Sequence, residues 1–188
     1  MKKSRAETAE TRRRILAAAA EEFRRNGLHD TCLNEVMSAA GMTQGGFYRH
    51  FKSKDQLIAE ACAAGMAVSA DAFADAACAC PEKVGIEGIV DAYLSIENPE
   101  EPGCPFVTLG SELARADEAT REVATDGFRN LVDVVAKRYP NTKPELARER
   151  AEFVVCALIG ALTVSRVVTD PDLAQSILES ARKRLVKV

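Results

Sequence analysis

The most chemically distinctive part of this sequence is a short stretch, residues 40–57, that reads AGMTQGGFYRHFKSKDQL. Two adjacent glycines, Gly45 and Gly46, precede an aromatic pair, and hydrogen-bond donors crowd the positions that follow. Each glycine in a helix costs about 1 kcal/mol relative to alanine, so a purely structural role does not explain two together. A backbone without a β-carbon approaches a ligand closely, and the neighbouring donors suit base edges and phosphate oxygens. The stretch therefore predicts a surface that binds nucleic acid.

The elements that must position these residues are three helices before a long fourth one. The first has Ile15, Ala19 and Phe23 on one face, begins at a capping-box spacing from Ser4 and stops at Gly27. Caps or stops for the next helices follow in order at Thr31, Gly41, Thr43 and Ser53. They delimit two short helices around a tight turn, the helix-turn-helix arrangement whose second helix enters the DNA major groove. The third helix, over residues 44–50, is the predicted recognition helix.

Side chains of this recognition helix divide between burial and DNA contact. Phe47 falls where the helix must pack against the first two helices, whereas Tyr48 points elsewhere and offers its hydroxyl to a phosphate. Gln44 lies in the first turn, where it is placed to hydrogen-bond a base. His50 and Lys54 lie where donors and a helix N-terminus together suit phosphate.

The remainder of the chain is punctuated by prolines at helical intervals, and alternating β-branched runs are missing. The predicted helical segments are 54–80, 83–97, 105–116, 118–139, 144–169 and 171–186. We therefore predict an all-α protein of about nine helices. A three-helix helix-turn-helix DNA-binding domain occupies residues 1–53, and a larger helical domain occupies residues 54–188.

The charge of the chain is unevenly distributed, although the net charge is only -3. Residues 1–60 hold 11 Lys/Arg and 8 Asp/Glu, whereas residues 61–188 hold 14 and 20. The basic end is therefore the one that carries the predicted helix-turn-helix. No apolar run is expected to span a bilayer, and the N-terminal residues lack a signal-peptide core, so we expect a cytoplasmic protein.

The six cysteines do not have the spacing of a metal site or a disulfide scaffold. Cys78 and Cys80 form the one close pair, no Cys-x2-Cys occurs, and the two histidines lie far from that pair in sequence. We expect no metal, no cofactor and mostly reduced thiols. Cys62 and Cys156 lie within apolar helices and are predicted to be inert packing residues.

Residues 11–58 closely resemble the DNA-binding region of the TetR family of bacterial transcriptional regulators. The residues that carry the resemblance are Phe23, Gly27, Thr31, Ala40, Gly41, Phe47, Tyr48, Arg49, His50, Phe51, Ser53, Lys54 and Leu57. By resemblance, positions that meet phosphates or approach DNA closely are Thr43, Gly46, Tyr48, His50 and Lys54, and Gln44 matches a base-reading position. The full set of expected DNA contacts is Arg13, Thr31, Thr43, Gln44, Gly45, Gly46, Tyr48, Arg49, His50 and Lys54.

Three positions depart from the family pattern. Met37 stands where a small alanine is usual, and Gly46 stands where threonine or serine is frequent. Gln44 replaces a commoner basic residue, which predicts a neutral hydrogen-bonding readout. The arginines at residues 12–14 are expected to add contacts to the DNA backbone.

The resemblance also implies a homodimer and a pocket for a small-molecule effector in the larger domain. The dimer is expected through helices near 144–169 and 171–186, where small and apolar residues line one face: Ala157, Gly160, Ala161, Val164, Leu173, Ile177, Leu178 and Leu185. Candidate ligand contacts, which are also good core residues, are Met66, Phe73, Tyr93, Phe106, Leu109, Leu113 and Phe128.

Cys104 is a candidate redox-sensing residue. It precedes Pro105, a favourable first helical residue, so it is predicted to lie at a helix N-cap, where the positive end of the helix favours a thiolate. The segments Gly103-Cys104-Pro105 and Ser111-Glu112-Leu113 resemble a TetR subgroup that includes electrophile-responsive repressors of reductase genes. A small buried residue that simply caps the helix is the alternative.

These observations predict a ligand- or redox-responsive DNA-binding regulator, a repressor on a palindromic operator that a small molecule or electrophile releases. We find no P-loop, no dinucleotide-binding glycine motif, no His-Glu-x-x-His and no acid/base pair, so we do not expect an enzyme. The alternative function is a helical small-molecule carrier or scaffold without sequence-specific DNA binding.

Overall fold

The computed structural model describes residues 5–79, 86–95 and 103–188. Within these ranges the chain forms nine helices and no strand, in the following order: α1 (Arg5–Asn26), α2 (Leu33–Ala39), a 3₁₀ helix (Gln44–Arg49), α3 (Lys54–Ala79), α4 (Glu87–Tyr93), α5 (Pro105–Leu113), α6 (Glu118–Ala136), α7 (Pro144–Val167) and α8 (Pro171–Leu185). The all-α prediction is confirmed. The predicted cap Ser4, Cys80 and most of the loop at 98–103 lie outside the described residues.

The local signals around the helix-turn-helix are mostly where the sequence placed them. Gly27 and Gly41 both adopt positive φ, of 88° and 68°, at the ends of α1 and α2. The Ser53 hydroxyl accepts a hydrogen bond from the Gln56 N–H at 3.1 Å, as expected of an N-cap for α3.

Two local predictions are wrong. The third helix is a 3₁₀ helix of six residues, not an α-helix over 44–50. Thr31 does not cap α2, because the N-cap is Cys32, whose N–H donates to the Glu35 carboxylate at 2.8 Å. Thr31 instead turns its hydroxyl back toward the end of α1, where it donates to the Gly27 carbonyl oxygen at 2.6 Å.

The chain divides into two compact units that differ from the predicted domains. The first comprises Met1–Met66 with Pro102–Asp126, and the second comprises Ala67–Glu101 with Gly127–Val188. Consequently α5 and the start of α6 belong to the same unit as the helix-turn-helix. The functional boundary at residue 53 stays a prediction.

The first unit has one continuous hydrophobic core. Its largest fully buried side chains come from α1, the 3₁₀ helix and the residues before α3, and they include Ile15, Phe23, Phe47 and Phe51. α5 contributes Leu109 and Leu113 to the same core, together with α3 residues. Burial of these large apolar groups supplies the main stabilisation of the unit.

The second unit is built around the packed pair α7 and α8. α7 buries one face, which includes Val154, Val155 and Leu158, and α8 buries Leu178 and Leu185. α4 joins this pair, where the Arg182 guanidinium lies 3.0 Å from the Asp91 carboxylate. The Asp170 carboxylate caps α8 by accepting two backbone N–H groups.

α3 is the helix, among the described residues, that has the length and composition of a membrane span. The expectation that no run is long and apolar enough is therefore wrong by those two criteria. The first turns of α3 nevertheless bury Leu57, Ala61, Cys62 and Met66 in the core of the first unit. A core helix of a globular protein satisfies the same criteria, so α3 does not indicate a membrane protein.

Two adjacent residues of the 3₁₀ helix have opposite environments and therefore opposite expected stability effects. Phe47 is 1% exposed, whereas Tyr48 is 74% exposed. Phe47→Ala should lower the free energy of unfolding by about 3–5 kcal/mol through loss of packing, and Tyr48→Ala by about 1 kcal/mol or less. Denaturant unfolding followed by circular dichroism measures both, and equal losses would contradict the assigned packing.

Candidate nucleic-acid interface

The 3₁₀ helix is held on the first unit by two phenylalanines. Phe47 and Phe51 stack with ring centroids 5.6 Å apart and an interplanar angle of 22°, and both are buried. Tyr48 contacts the Phe47 ring edge-on at 5.1 Å but stays largely exposed. Because a 3₁₀ helix of six residues has few internal hydrogen bonds, this packing fixes its position and its rotation.

The opposite side of the 3₁₀ helix is a polar surface. Exposed residues of the predicted DNA contacts gather there: Thr43, Gln44, Gly45, Tyr48 and Arg49. Gly46 and His50 are half-buried at its edge. Residues that the sequence assigned separately to base and phosphate contact are thus brought together on one exposed face.

Neither glycine of this face is required by contacts within the chain. A β-carbon added at Gly45 would meet nothing within 4 Å, and one added at Gly46 would lie 3.7 Å from Met37 Cε and 3.8 Å from Met42 Cε, which is ordinary contact. Two departures from the family pattern explain one another here. The buried Met37 side chain reaches toward the space that a larger residue at position 46 would occupy.

The three arginines at the start of α1 have different partners. The Arg12 guanidinium lies 2.6 Å from the Glu60 carboxylate and 4.6 Å from the centre of the Phe51 ring. Arg14 donates to the Ala40 carbonyl oxygen at 2.6 Å, at the end of α2. Arg13 is exposed and pairs with Glu10 on the same helix. Arg13 is therefore the most accessible of the three for an external phosphate.

Two predicted DNA contacts have intramolecular partners. Lys54 Nζ donates to the His29 carbonyl oxygen at 3.0 Å. Thr31 is only 1% exposed and its hydroxyl bonds to the Gly27 carbonyl oxygen, so its side chain is not presented to solvent. A DNA contact at Thr31 stays a prediction that would have to use the backbone.

The candidate ligand contacts fall into two separate groups. Met66, Phe106, Leu109 and Leu113 belong to the first unit, and Phe73, Tyr93 and Phe128 to the second. Phe73 and Tyr93 pack edge-to-face with centroids 5.3 Å apart. Met66, Leu109 and Leu113 are almost fully buried in the core.

A cavity of about 440 Å³ lies between α5 and α6 within the first unit. Its lining is Phe106, Gly110, Leu113, Ala114, Glu118, Arg121, Glu122, Ala124 and Thr125. Sequence analysis identified only Phe106 and Leu113 of these residues. The polar lining of α6 repeats at i, i+3, i+4 and i+7 from Glu118, a pattern that is also typical of a solvated helix face.

The cysteines differ in accessibility. Cys104 is the N-cap of α5, with Pro105 as the first helical residue, and is 5% exposed. It lies close enough to the Arg24 guanidinium to oppose the lowering of the Arg24 pKa that burial causes. Burial, with a smaller contribution from the Glu112 carboxylate, raises the pKa of Cys62 to about 11, which makes this thiol a poor nucleophile. Cys156 is exposed, so its prediction as a packing residue is wrong.

α7 has an exposed apolar stripe on the side opposite its buried face. Gly160 and Val164 belong to it as predicted, whereas Leu178 and Leu185 of α8 are buried within their own unit and are not available. Phe153 and Val167, which are 60% and 75% exposed, extend the stripe and were not identified from the sequence. Their i, i+7 and i+14 relation to Gly160 was the available signal.

Comparison with known proteins assigns both halves of the chain. Residues 15–61 match the model of bacterial regulatory proteins of the tetR family, and residues 92–179 match the C-terminal domain of LmrA/YxaF-like transcriptional regulators. Together the two matches cover more than two-thirds of the chain.

Individual relatives agree with these matches. The HTH-type transcriptional regulator YdgC of Bacillus subtilis is 47% identical over 51 residues, which cover 27% of this chain and only 26% of YdgC. LmrA of the same organism is 28% identical over 157 residues, 80% of this chain and 82% of LmrA. The reduced form of E. coli NemR has the same fold, with a TM-score of 0.78 over 95% of this chain and 96% of that one at 17% identity. The chain belongs to the TetR family of bacterial transcriptional regulators.

Proposed function

We propose that this chain is a cytoplasmic, dimeric repressor that binds a palindromic DNA operator and is released by a small molecule or an electrophile. The observation that carries the proposal is the exposed polar face of the 3₁₀ helix, opposite the buried Phe47 and Phe51. This face joins a neutral amide, a phenol and a guanidinium with two residues that lack β-carbons. These groups suit a helix that enters the major groove.

The two glycines support close approach to DNA. Intramolecular packing leaves room for a β-carbon at both positions, so the chain itself does not select glycine there. A β-carbon on the outward face would separate the helix backbone from a phosphate or base edge. Gln44 in the first turn then reads a base through its amide, and Tyr48 donates to a phosphate oxygen.

A dimer follows from the small size of the recognition helix. Six residues contact few base pairs, so useful specificity requires two half-sites about 34 Å apart. The exposed stripe of α7, from Phe153 through Gly160 to Val167, is the surface we assign to the partner copy. Such a large exposed apolar patch marks an interaction surface in a globular protein.

The effector response is assigned to α5. One face of this helix lines the 440 Å³ cavity, which combines Phe106 and Leu113 with the charged Arg121. Cys104 caps the same helix near the Arg24 guanidinium, which favours a thiolate there. An electrophile reaches Cys104 only after a local opening, because this thiol is buried.

The alternative function, a helical carrier without sequence-specific DNA binding, is separated by a gel-shift assay on the DNA upstream of the chain's own gene. Saturable binding at nanomolar to micromolar protein that resists excess random DNA supports the regulator. Binding that random DNA removes, or none, supports the carrier.

Arg13 and Arg12 provide a matched test of backbone contact. Arg13→Ala should reduce the slope of log K against log salt by about 0.9, as expected for one lost phosphate contact, with little change in stability. Arg12→Ala should instead lower the melting temperature, because Arg12 pairs with Glu60 and covers Phe51. Titrations at several salt concentrations measure the first effect, and an unchanged slope for Arg13→Ala would remove Arg13 from the interface.

Gln44 is expected to determine base preference. Gln44→Ala should lose about 1–3 kcal/mol of discrimination at one base pair per half-site, whereas Tyr48→Phe should weaken binding to all sequences alike. Selection from a randomised operator library measures both. The same ranked preference for wild type and Gln44→Ala would disprove base reading by Gln44.

Cys104 is expected to mediate release by electrophiles. N-ethylmaleimide should release operator from the wild type and from Cys156→Ser, but not from Cys104→Ser. Cys62 should remain unmodified near pH 8, because with a pKa of about 11 only about one thiol in a thousand is ionised there. Mass spectrometry identifies the modified residues, and equal release of all three proteins would eliminate thiol sensing through Cys104.

A further inference from the structure

A carboxylate on α5 is hydrogen-bonded to the turn that follows α1. Glu112 Oε2 accepts the N–H of Leu28 at 2.8 Å and the N–H of His29 at 3.2 Å. These contacts join residues more than eighty positions apart within the first unit. Hydrogen bonds to an ionised acceptor are stronger than neutral ones, so this contact holds α5 and the turn in register.

Gly27 gives this carboxylate its space. A β-carbon at Gly27 would lie 2.7 Å from Glu112 Oε1, too close for any real contact. The same residue has a φ of 88°, which side-chain-bearing residues rarely adopt. Glycine at position 27 therefore serves both the helix stop and the approach of Glu112.

The same turn is bonded on its other side to Lys54. The His29 peptide donates its N–H to Glu112 and accepts Lys54 Nζ at its carbonyl oxygen, at 3.0 Å. Lys54 is the first residue of α3 and a predicted phosphate contact. One peptide group thus connects a helix of the effector region with a residue expected to meet DNA.

The position of Glu112 depends on the rest of α5. Phe106 and Gly110 of the same helix line the cavity, and Cys104 caps its N-terminus. Glu112 also lies close enough to the buried Cys62 to contribute to the raised pKa of that thiol. The carboxylate is therefore near a poorly hydrated part of the core, where electrostatic contacts are stronger than in water.

We propose that Glu112 is a positioning residue that transmits displacements of α5 to Lys54 through the His29 peptide. A molecule in the cavity, or an adduct on Cys104, then changes phosphate binding without touching the recognition helix. This inference rests on the DNA-binding function proposed above. The competing role is a static cross-link that stabilises the unit but transmits nothing.

Amide hydrogen exchange tests the contact independently of DNA. Glu112→Ala should speed exchange of the Leu28 and His29 amides at least about tenfold relative to wild type, and Glu112→Gln should have a smaller effect, because its amide oxygen is a neutral acceptor. Glu149→Gln, an exposed glutamate of α7, is the charge-matched control and should change neither amide. Unchanged exchange in folded Glu112→Ala would overturn the proposal.

Transmission is tested with a substitution that imitates a bound ligand. A β-carbon at Gly110 meets no atom within 4 Å, so Gly110→Phe places a ring in the cavity. In the presence of Glu112 it should speed exchange at Leu28 and His29 and weaken operator binding at least about 5-fold. In the Glu112→Ala background it should produce no further change in either measurement.

The outcomes of this cycle are distinguishable. Additive effects of Gly110→Phe and Glu112→Ala on exchange would make Glu112 a static cross-link. If the wild type fails to bind operator DNA, the proposed function fails, and the exchange cycle alone still decides whether α5 acts on the turn through Glu112. Circular dichroism melts establish that each variant is folded before exchange is measured.

Discussion

Burial of the stacked pair Phe47 and Phe51 is the interaction on which the rest of the structure depends. A six-residue 3₁₀ helix cannot persist in water by its own hydrogen bonds. Here it is held because both rings belong to the core shared by α1, α2, α3 and α5. Once Phe47 faces inward, helix geometry places Gln44, Tyr48 and Arg49 outward. The functional surface is therefore a consequence of packing on its opposite side.

The same core explains how the surface is coupled to distant parts of the chain. Met37 fills space beside Gly46, so a residue that departs from the family pattern is accommodated by a second departure. α5 contributes Leu109 and Leu113 to the core and places Glu112 over Gly27. A helix that borders the cavity is thus a structural part of the DNA-binding unit, which links effector and DNA sites by direct contact.

Period and punctuation in the sequence were sufficient for the helices, for the glycine stops and for the inward Phe47, because these follow from local geometry. The 3₁₀ form of residues 44–49 was not predictable, since tertiary packing selects it over an α-helix. Leu178 and Leu185 were assigned to a dimer surface because an amphipathic stripe does not reveal which partner covers it. Pairings such as Glu112 with Leu28 and Arg12 with Glu60 depend on tertiary approach, which spacing along the chain does not encode.

Dimethyl sulfate footprinting of the upstream DNA tests the central claim most directly, because the reagent methylates guanine N7 in the major groove and adenine N3 in the minor groove. The account predicts protection of guanine N7 in two patches about one helical turn apart, with one position in each patch losing protection in Gln44→Ala. Protection confined to adenine N3, or no protection at protein concentrations that shift the DNA, would contradict insertion of the 3₁₀ helix into the major groove.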